Sequence, residues 1–252
     1  MKHKLLKKIC GILGYKLLDK TLFKNQRSID ESNKFTINII LSNLFHKNRI
    51  KELLQIGAND GKSFDELNVF IKKHKPKSVL VEPIKTIFKI LQKNYNGFDN
   101  VTLENLAVSV NNEISEIYKV DESFTNFYDD HIKAISSFNK AHLINHGVKK
   151  KHISTEKVSS SSISNLISKY KLNNLDLLFL DTEGYDGKIV LDLINNTKVR
   201  PFIIFEYIHI DNNILNNLIN RLNEEKYFLL KVNENIFCFQ EEEKFDIDFS
   251  LK

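Results

Sequence analysis

Three features are scarce or missing in this 252-residue chain, and each argues against a class of protein. Cysteine occurs only at Cys10 and Cys238, near opposite ends and without metal-ligand spacing. That argues against a disulfide scaffold and fits a reducing cytoplasm. Arginine is rare beside lysine, and no arginine cluster is interleaved with aromatic residues. The formal net charge of +5 therefore reflects a general taste for Lys, Asn and Ile, and no nucleic-acid partner is expected. The glycine fingerprint of dinucleotide folds, G-x-G-x-x-G, does not occur where the sheet begins; G-x-x-x-G stands there instead. What remains is ordinary for a globular protein, 42% hydrophobic and 27% charged, and long enough for one large α/β domain with a short extra segment.

The pattern divides the chain into an N-terminal helical extension (1–49), a domain (50–240) with an insertion at about 121–152, and an acidic tail (241–252). Residues 1–24 place Leu5, Leu6, Ile9, Leu13, Leu17 and Leu18 at helical spacing between lysines, and Lys16 interrupts the run before it can span a bilayer. Two readings stand: a basic amphipathic helix on an anionic membrane surface, giving a cytoplasmic protein peripheral membrane contact, or a helix packed on the domain. The stretch from Asn25 to Lys34 reads as a polar linker, and Phe35 to Phe45 as a helix capping the sheet.

From Ile50 onward strands and helices alternate. Strands are expected over 52–56, 77–82, 101–108, 175–181 and 200–206, with helices over 63–73, 84–95, 163–170, 186–194 and 211–224. In the first of these helices Phe64, Leu67, Phe70 and Ile71 form the expected buried stripe. Strand–helix alternation implies parallel strands with right-handed crossovers. A closing antiparallel hairpin is expected from Tyr227 to Phe239 around Asn233-Glu234. Within 109–158 the alternation breaks: a strand over 113–120, preceded by an Asn111-Asn112 turn, leads into a polar stretch holding His131, His142, His146 and His152, which reads as a substrate lid. The histidines show no convincing metal spacing and read as surface or packing residues. The serine run 159–162 reads as a helix N-cap.

Carboxylates then mark one edge of the sheet. Gln55-Ile-Gly57-Ala58-Asn59-Asp-Gly61 reads as a strand end turning into a helix, with free N–H groups and glycines that let a ligand approach the main chain. Glu82 follows about twenty residues later at the end of the second strand, where an acid accepts hydrogen bonds from ribose hydroxyls. Asp181 and Glu183 end the most hydrophobic strand, and Glu206 ends the next, with His209 three residues on. Buried carboxylates are costly unless they bind something.

These stretches, LLQIGANDG (53–61), VLVEP (79–83), NLAVS (105–109), LDLLFLDTEGYD (175–186) and IIFEYIHI (203–210), resemble the FkbM family of class I S-adenosylmethionine-dependent methyltransferases. The resemblance covers about residues 50–240. It implies an α/β Rossmann-like class I methyltransferase fold: a mostly parallel seven-stranded sheet with an antiparallel last strand and helices on both faces. It also implies an O-methyltransferase acting on a hydroxyl of a sugar, in a glycan, polysaccharide or glycosylated metabolite, with S-adenosyl-L-methionine as cofactor. On that resemblance Gln55, Gly57, Ala58, Asn59 and Gly61 line the methionine and ribose end, Glu82 and Pro83 the ribose, Leu106 and Ala107 the adenine, and Asp181 the methyl donor. Gln55 departs from the Asp or Glu common in the family and removes a negative charge.

For proton removal from the acceptor the candidates are Asp181, His209 and Glu206, with Glu183 and Glu206 orienting the acceptor or each other. Glu183 has a structural alternative, capping the helix that follows. Asp181, Glu183, Glu206 and His209 could also hold a divalent metal, but no metal requirement is expected. An NAD-dependent oxidoreductase on the same sheet and a non-catalytic cofactor-binding adapter are the rival classes. The oligomeric state is unreadable from the sequence.

Overall fold

The computed structural model describes residues 37–46, 49–110 and 114–240. The expected helix over 1–24, the linker, Cys10, the Asn111-Asn112 turn and the acidic tail lie outside the described residues. A helix over residues 37–46 (α1) precedes the domain. Then follow β1 (Glu52–Ile56), α2 (Asn68–His74), β2 (Lys77–Val81), α3 (Lys85–Asn94), β3 (Val101–Glu104) and β4 (Ala107–Val108). The middle of the chain holds β5 (Ser115–Val120), α4 (Asp130–Ala134), β6 (Ser136–Ser137), α5 (Lys140–Asn145), β7 (Ile153–Val158), β8 (Ser160–Ser161) and α6 (Ile163–Tyr170). The last part is β9 (Leu177–Leu180), α7 (Asp186–Asn196), β10 (Phe202–Glu206), α8 (Asn212–Glu224), β11 (Tyr227–Val232) and β12 (Asn235–Gln240).

Seven strands form one sheet in the order β11-β12-β10-β9-β1-β2-β3. All neighbours run parallel except β12, which lies antiparallel to both β10 and β11. The strands are apolar on both faces because both faces are covered by helices. Leu54, Ile56, Val79, Val81, Leu178, Leu180, Ile203 and Phe205 pack with residues of α6, α7 and α8. Leu53, Leu80, Leu177, Phe179, Ile204 and Phe237 pack with α1, α2 and α3 on the other face. Burial of these side chains is worth roughly 1.5–3 kcal/mol each. Strand order reverses at β1: β2 and β3 lie to one side, β9 and β10 to the other. The carboxyl ends of strands flanking such a switch point form a crevice, which places the site.

Three expectations need correction. The helix after the glycine turn begins at Asn68, not at Ser63. Asp60 Oδ1 accepts from the N–H groups of Lys62 and Ser63, and Asp65 Oδ1 accepts from Leu67 N–H, so side chains hold 60–67 as a loop. Phe64 there has φ +58° and is exposed, so it leaves the buried stripe that Leu67 and Ile71 keep. The third strand is two pieces, because Ala107 and Val108 leave the main sheet to pair with Ser160 and Ser161. The insertion has structure of its own: β5 pairs with β6 and β7 in a second antiparallel sheet, and Val120, Ile135, Leu143 and Val148 form a small core there.

Candidate active site

β1 ends in a turn whose geometry requires glycine. Gly57 has φ +83°, and a Cβ there would lie 1.8 Å from the carbonyl oxygen of Asp181. The missing side chain thus lets the ends of β1 and β9 touch. Gly61 has φ +68°, and its Cβ would meet Leu91 Cδ1 at 2.4 Å and the Tyr95 ring at 2.5 Å. The space that a Cβ would take at either glycine is filled by protein. Gly57 and Asn59 still line the cleft; Gly61 does not, and packs the turn against α3.

Glu82 emerges from β2 into this turn with 4% of its surface exposed. Its Oε2 accepts from Asn59 N–H at 3.1 Å and its Oε1 from Ile84 N–H at 2.7 Å. Burial pushes its pKa up to about 7, against the lowering effect of those two bonds. Asn105 fixes the loop by donating to the carbonyls of Glu82 and Pro83, each at 2.9 Å; sequence reasoning had passed it over. Pro83, Ala107 and Val108 supply the neighbouring wall. Leu106 and Ala58 are core residues, and neither lines the cleft. Gln55 is likewise buried outside it, donating from Nε2 to Asp65 Oδ1 at 3.1 Å. The side chain of Gln55 is therefore one step removed from any ligand.

The cleft encloses about 340 Å³ and runs from Gly57 and Glu82 past Asp181 to Glu206 and His209. Asp181 sits at its floor. Burial first, then the charges of Glu183, Asp186, Glu66 and Glu82, raise its pKa well above the usual carboxylate value, although the side chain still reaches water in the cleft. Glu206 is pushed to about 9 by burial and then by Asp181 and Glu183. Among the described residues that line the cleft there is no lysine or arginine. So many acids without a basic partner suit a cationic ligand.

Glu183 does not cap the following helix. α7 has no side-chain cap, and the fully buried Asp186 binds the turn instead, accepting from Thr182 Oγ1 at 2.8 Å and from Thr182 N–H. Glu183, held at φ +54°, turns into the cleft, where its Oε2 lies 2.6 Å from His142 Nε2. Its backbone carbonyl accepts from Ser137 Oγ at 3.0 Å, so β6 of the insertion anchors it. Gly184 at φ +100° leaves 2.8 Å between a would-be Cβ and the His209 carbonyl oxygen, bringing that loop against His209. His142 and His146, expected as surface or packing residues, therefore meet Glu183 and His209. A signal was there: four residues separate His142 from His146, one helical turn. His152 does fit the packing view, stacked on Phe124 at 4.1 Å.

The residues present fit S-adenosylmethionine: a buried carboxylate at the ribose position, an apolar wall at Ala107 and Val108, and an acid-rich floor for a sulfonium charge. Residues 55–229 match the family described as the methyltransferase FkbM domain. No curated protein matches the sequence. Among solved structures, an FkbM methyltransferase from Methylobacillus flagellatus is 11% identical at TM-score 0.44, over 76% of this chain and 44% of that one. The S-adenosylhomocysteine-bound methyltransferase PaMTH1 of Podospora anserina is 11% identical at TM-score 0.41, over 80% of this chain and 75% of that one. Aeropyrum pernix fibrillarin with bound S-adenosylmethionine is 8% identical at TM-score 0.40, over 75% and 66%. The chain thus spans less than half the length of the first of these structures. With the family match running through most of the sheet and both sides of the cleft, the chain belongs to the FkbM family of S-adenosylmethionine-dependent class I methyltransferases.

Proposed function

We propose that this methyltransferase acts on a hydroxyl oxygen of a sugar, free or in a glycan. The observation that carries this reading is the composition of the cleft beyond Asp181: hydrogen-bonding Ser136, Glu183 and His209 beside the aromatic faces of Phe64 and Phe138. Sugars are held in that way, hydroxyls by polar groups and ring faces by aromatics. S-adenosylmethionine supplies a methyl group from a sulfonium centre and leaves as the neutral thioether S-adenosylhomocysteine.

The chain's own residues align and deprotonate. Glu82, kept in place by the Asn59 and Ile84 N–H groups, holds the ribose hydroxyls when ionised. Gly57, Asn59 and Pro83 border the donor, and Ala107 its adenine. Alignment of acceptor oxygen with donor carbon supplies much of the acceleration. The acceptor's proton goes to Asp181 or His209 as the oxygen–carbon bond forms. His209 is held below its usual pKa by burial and by His142, which keeps it neutral and able to accept. A contact of residues 1–24 with an anionic membrane would bring in a lipid-linked acceptor. Among the described residues no helix is long and apolar enough to cross a membrane.

Mass spectrometry of products from a panel of nucleotide sugars and glycans is the test. A mass gain of one methyl group on a sugar, lost in Asp181→Ala with S-adenosylhomocysteine still bound, supports the reading. Methylation confined to non-sugar acceptors overturns it.

A further inference from the structure

We propose that His142, His146, Glu183 and His209 bind a divalent first-row transition-metal ion, zinc being the test ion, at the end of the cleft away from Glu82. One ligating atom from each of the four lies within 4.8 Å of all the others. The three imidazoles are mutually packed, with ring centroids 4.5 Å apart for His142–His146, 4.4 Å for His142–His209 and 5.0 Å for His146–His209. Imidazole nitrogens with one carboxylate oxygen are a donor set zinc accepts in tetrahedral geometry.

The fold brings these donors together from three separate elements. His142 lies on α5 and His146 is its C-terminal cap, one turn apart on the same face. Glu183 comes from the turn after β9, in a left-handed conformation unusual for a residue with a side chain, fixed through Ser137. His209 comes from the loop after β10, against Gly184. Around a tetrahedral ion with bonds of about 2.1 Å the donors stand about 3.4 Å apart. The 2.6 Å contact between His142 and Glu183 would open by under an ångström, and pairs as wide as 4.8 Å would close by up to about 1.4 Å.

Two further observations point the same way. Glu206 Oε2 is buried with no hydrogen-bond partner and lies 3.8 Å from His209 Nε2. It adds a second carboxylate beside the cluster, the usual companion of a metal-bound histidine. Among the described residues lining the cleft there is also no lysine or arginine to balance its acids.

The role of such an ion rests on the methyltransferase reading above. A bound zinc would take the acceptor hydroxyl as a further ligand and lower its pKa. His209 would then be a ligand, and Asp181 the group that receives the proton.

The test uses the untagged full chain, stripped with chelator and titrated with zinc in a calorimeter at pH 7.5. One zinc per chain is expected, and cobalt in its place should show the visible ligand-field absorption of a four- or five-coordinate site. His142→Gln and Glu183→Gln should each weaken zinc binding by at least about tenfold. Both should still bind S-adenosylhomocysteine, which shows them folded. His46→Gln, exposed and elsewhere, should bind zinc as the native chain does. Absence of stoichiometric binding, or equal binding by the native chain and the two site variants, overturns the proposal. Zinc bound at the cluster without any affinity for S-adenosylmethionine or S-adenosylhomocysteine would strike at the methyltransferase reading and leave the metal site standing.

Discussion

A glycine in a ligand-binding turn is easily credited to the ligand, and Gly61 shows why the neighbours must be examined first. Its absent Cβ leaves room for Leu91 and Tyr95, not for the cleft. Gly61→Ala combines left-handed backbone strain with overpacking against those side chains, and should cost about 2–4 kcal/mol in urea unfolding. Affinity for S-adenosylhomocysteine should change little in the surviving folded fraction; a large loss of affinity at native stability would return Gly61 to the binding surface. Glu82 makes a different prediction, about pH. Its folded pKa of about 7 lies above the ordinary 4.5, so the folded protein holds this proton more tightly than the unfolded chain. The associated stabilisation is fully present below pH 4.5 and is lost as pH rises through 7. This group alone should lower the stability of the ligand-free protein by on the order of 3 kcal/mol across that window. Ligand binding should run the other way, tightening toward pH 8 as the ionised carboxylate accepts the ribose hydroxyls. Chemical denaturation and calorimetry from pH 5 to 8, with Glu82→Gln as comparison, check both slopes; a native chain as flat as the variant would show that Glu82 stays ionised. Glu82 was legible in the sequence because it ends a strand at a fixed distance from the glycine turn. The histidine cluster was not, because His142 and His146 sit where strand–helix alternation fails, and their partners Glu183 and His209 arrive only through tertiary folding.

At the scale of elements, legibility followed burial. β1, β2, β9 and β10 read plainly because apolar residues cover both their faces. The serine run read correctly as well: Ser162 caps α6 through its Oγ, accepting from Asn165 N–H at 3.2 Å. The onset of α2 did not, because Asp60 and Asp65 take the N–H groups that a helix would start with. The turn between β9 and α7 works on the same principle and carries a prediction. Asp186 is fully buried and receives both the N–H and the hydroxyl of Thr182, which fixes the backbone just ahead of Glu183. Asp186→Ala leaves those donors unpaired and should destabilise the protein by about 2–3 kcal/mol. Turnover should fall more than S-adenosylhomocysteine affinity, because the turn carries Glu183 in the cleft while Glu82 and Asn59 stand in the loops after β2 and β1. Asp186→Asn, which keeps an acceptor for Thr182, should recover most of both losses. If kcat tracked folded protein alone in both variants, the turn would be a stability device only.

Over the whole molecule, the ends of four parallel strands and one insertion converge on a single acidic cleft. Asp181, Glu183, Glu206 and Glu82 come from β9, β10 and β2 or the loops after them; burial and then neighbouring acids raise the pKa values of Asp181 (Glu183 foremost) and Glu206 (Asp181 foremost). Sheet topology forces this: at a switch point all strand ends face one crevice, so acids placed at strand ends must crowd together. Crowded carboxylates resist ionisation in the empty protein and relax when a positive charge arrives. A ligand with a cation at the sulfur position should therefore bind more tightly than its neutral counterpart. Sinefungin, in which an ammonium-bearing carbon replaces that sulfur, should exceed S-adenosylhomocysteine in affinity by about fivefold to tenfold, roughly 1 kcal/mol for a solvent-screened pair. Asp181→Asn should erase most of that preference while leaving the binding of neutral S-adenosylhomocysteine unchanged or slightly improved, since one repelling charge has gone. Raising the salt should narrow the gap, because Asp181 reaches water in the cleft and its charge is open to screening. Equal affinities for the two ligands would mean that the acids are neutral as found and that their charge plays no part in holding the donor.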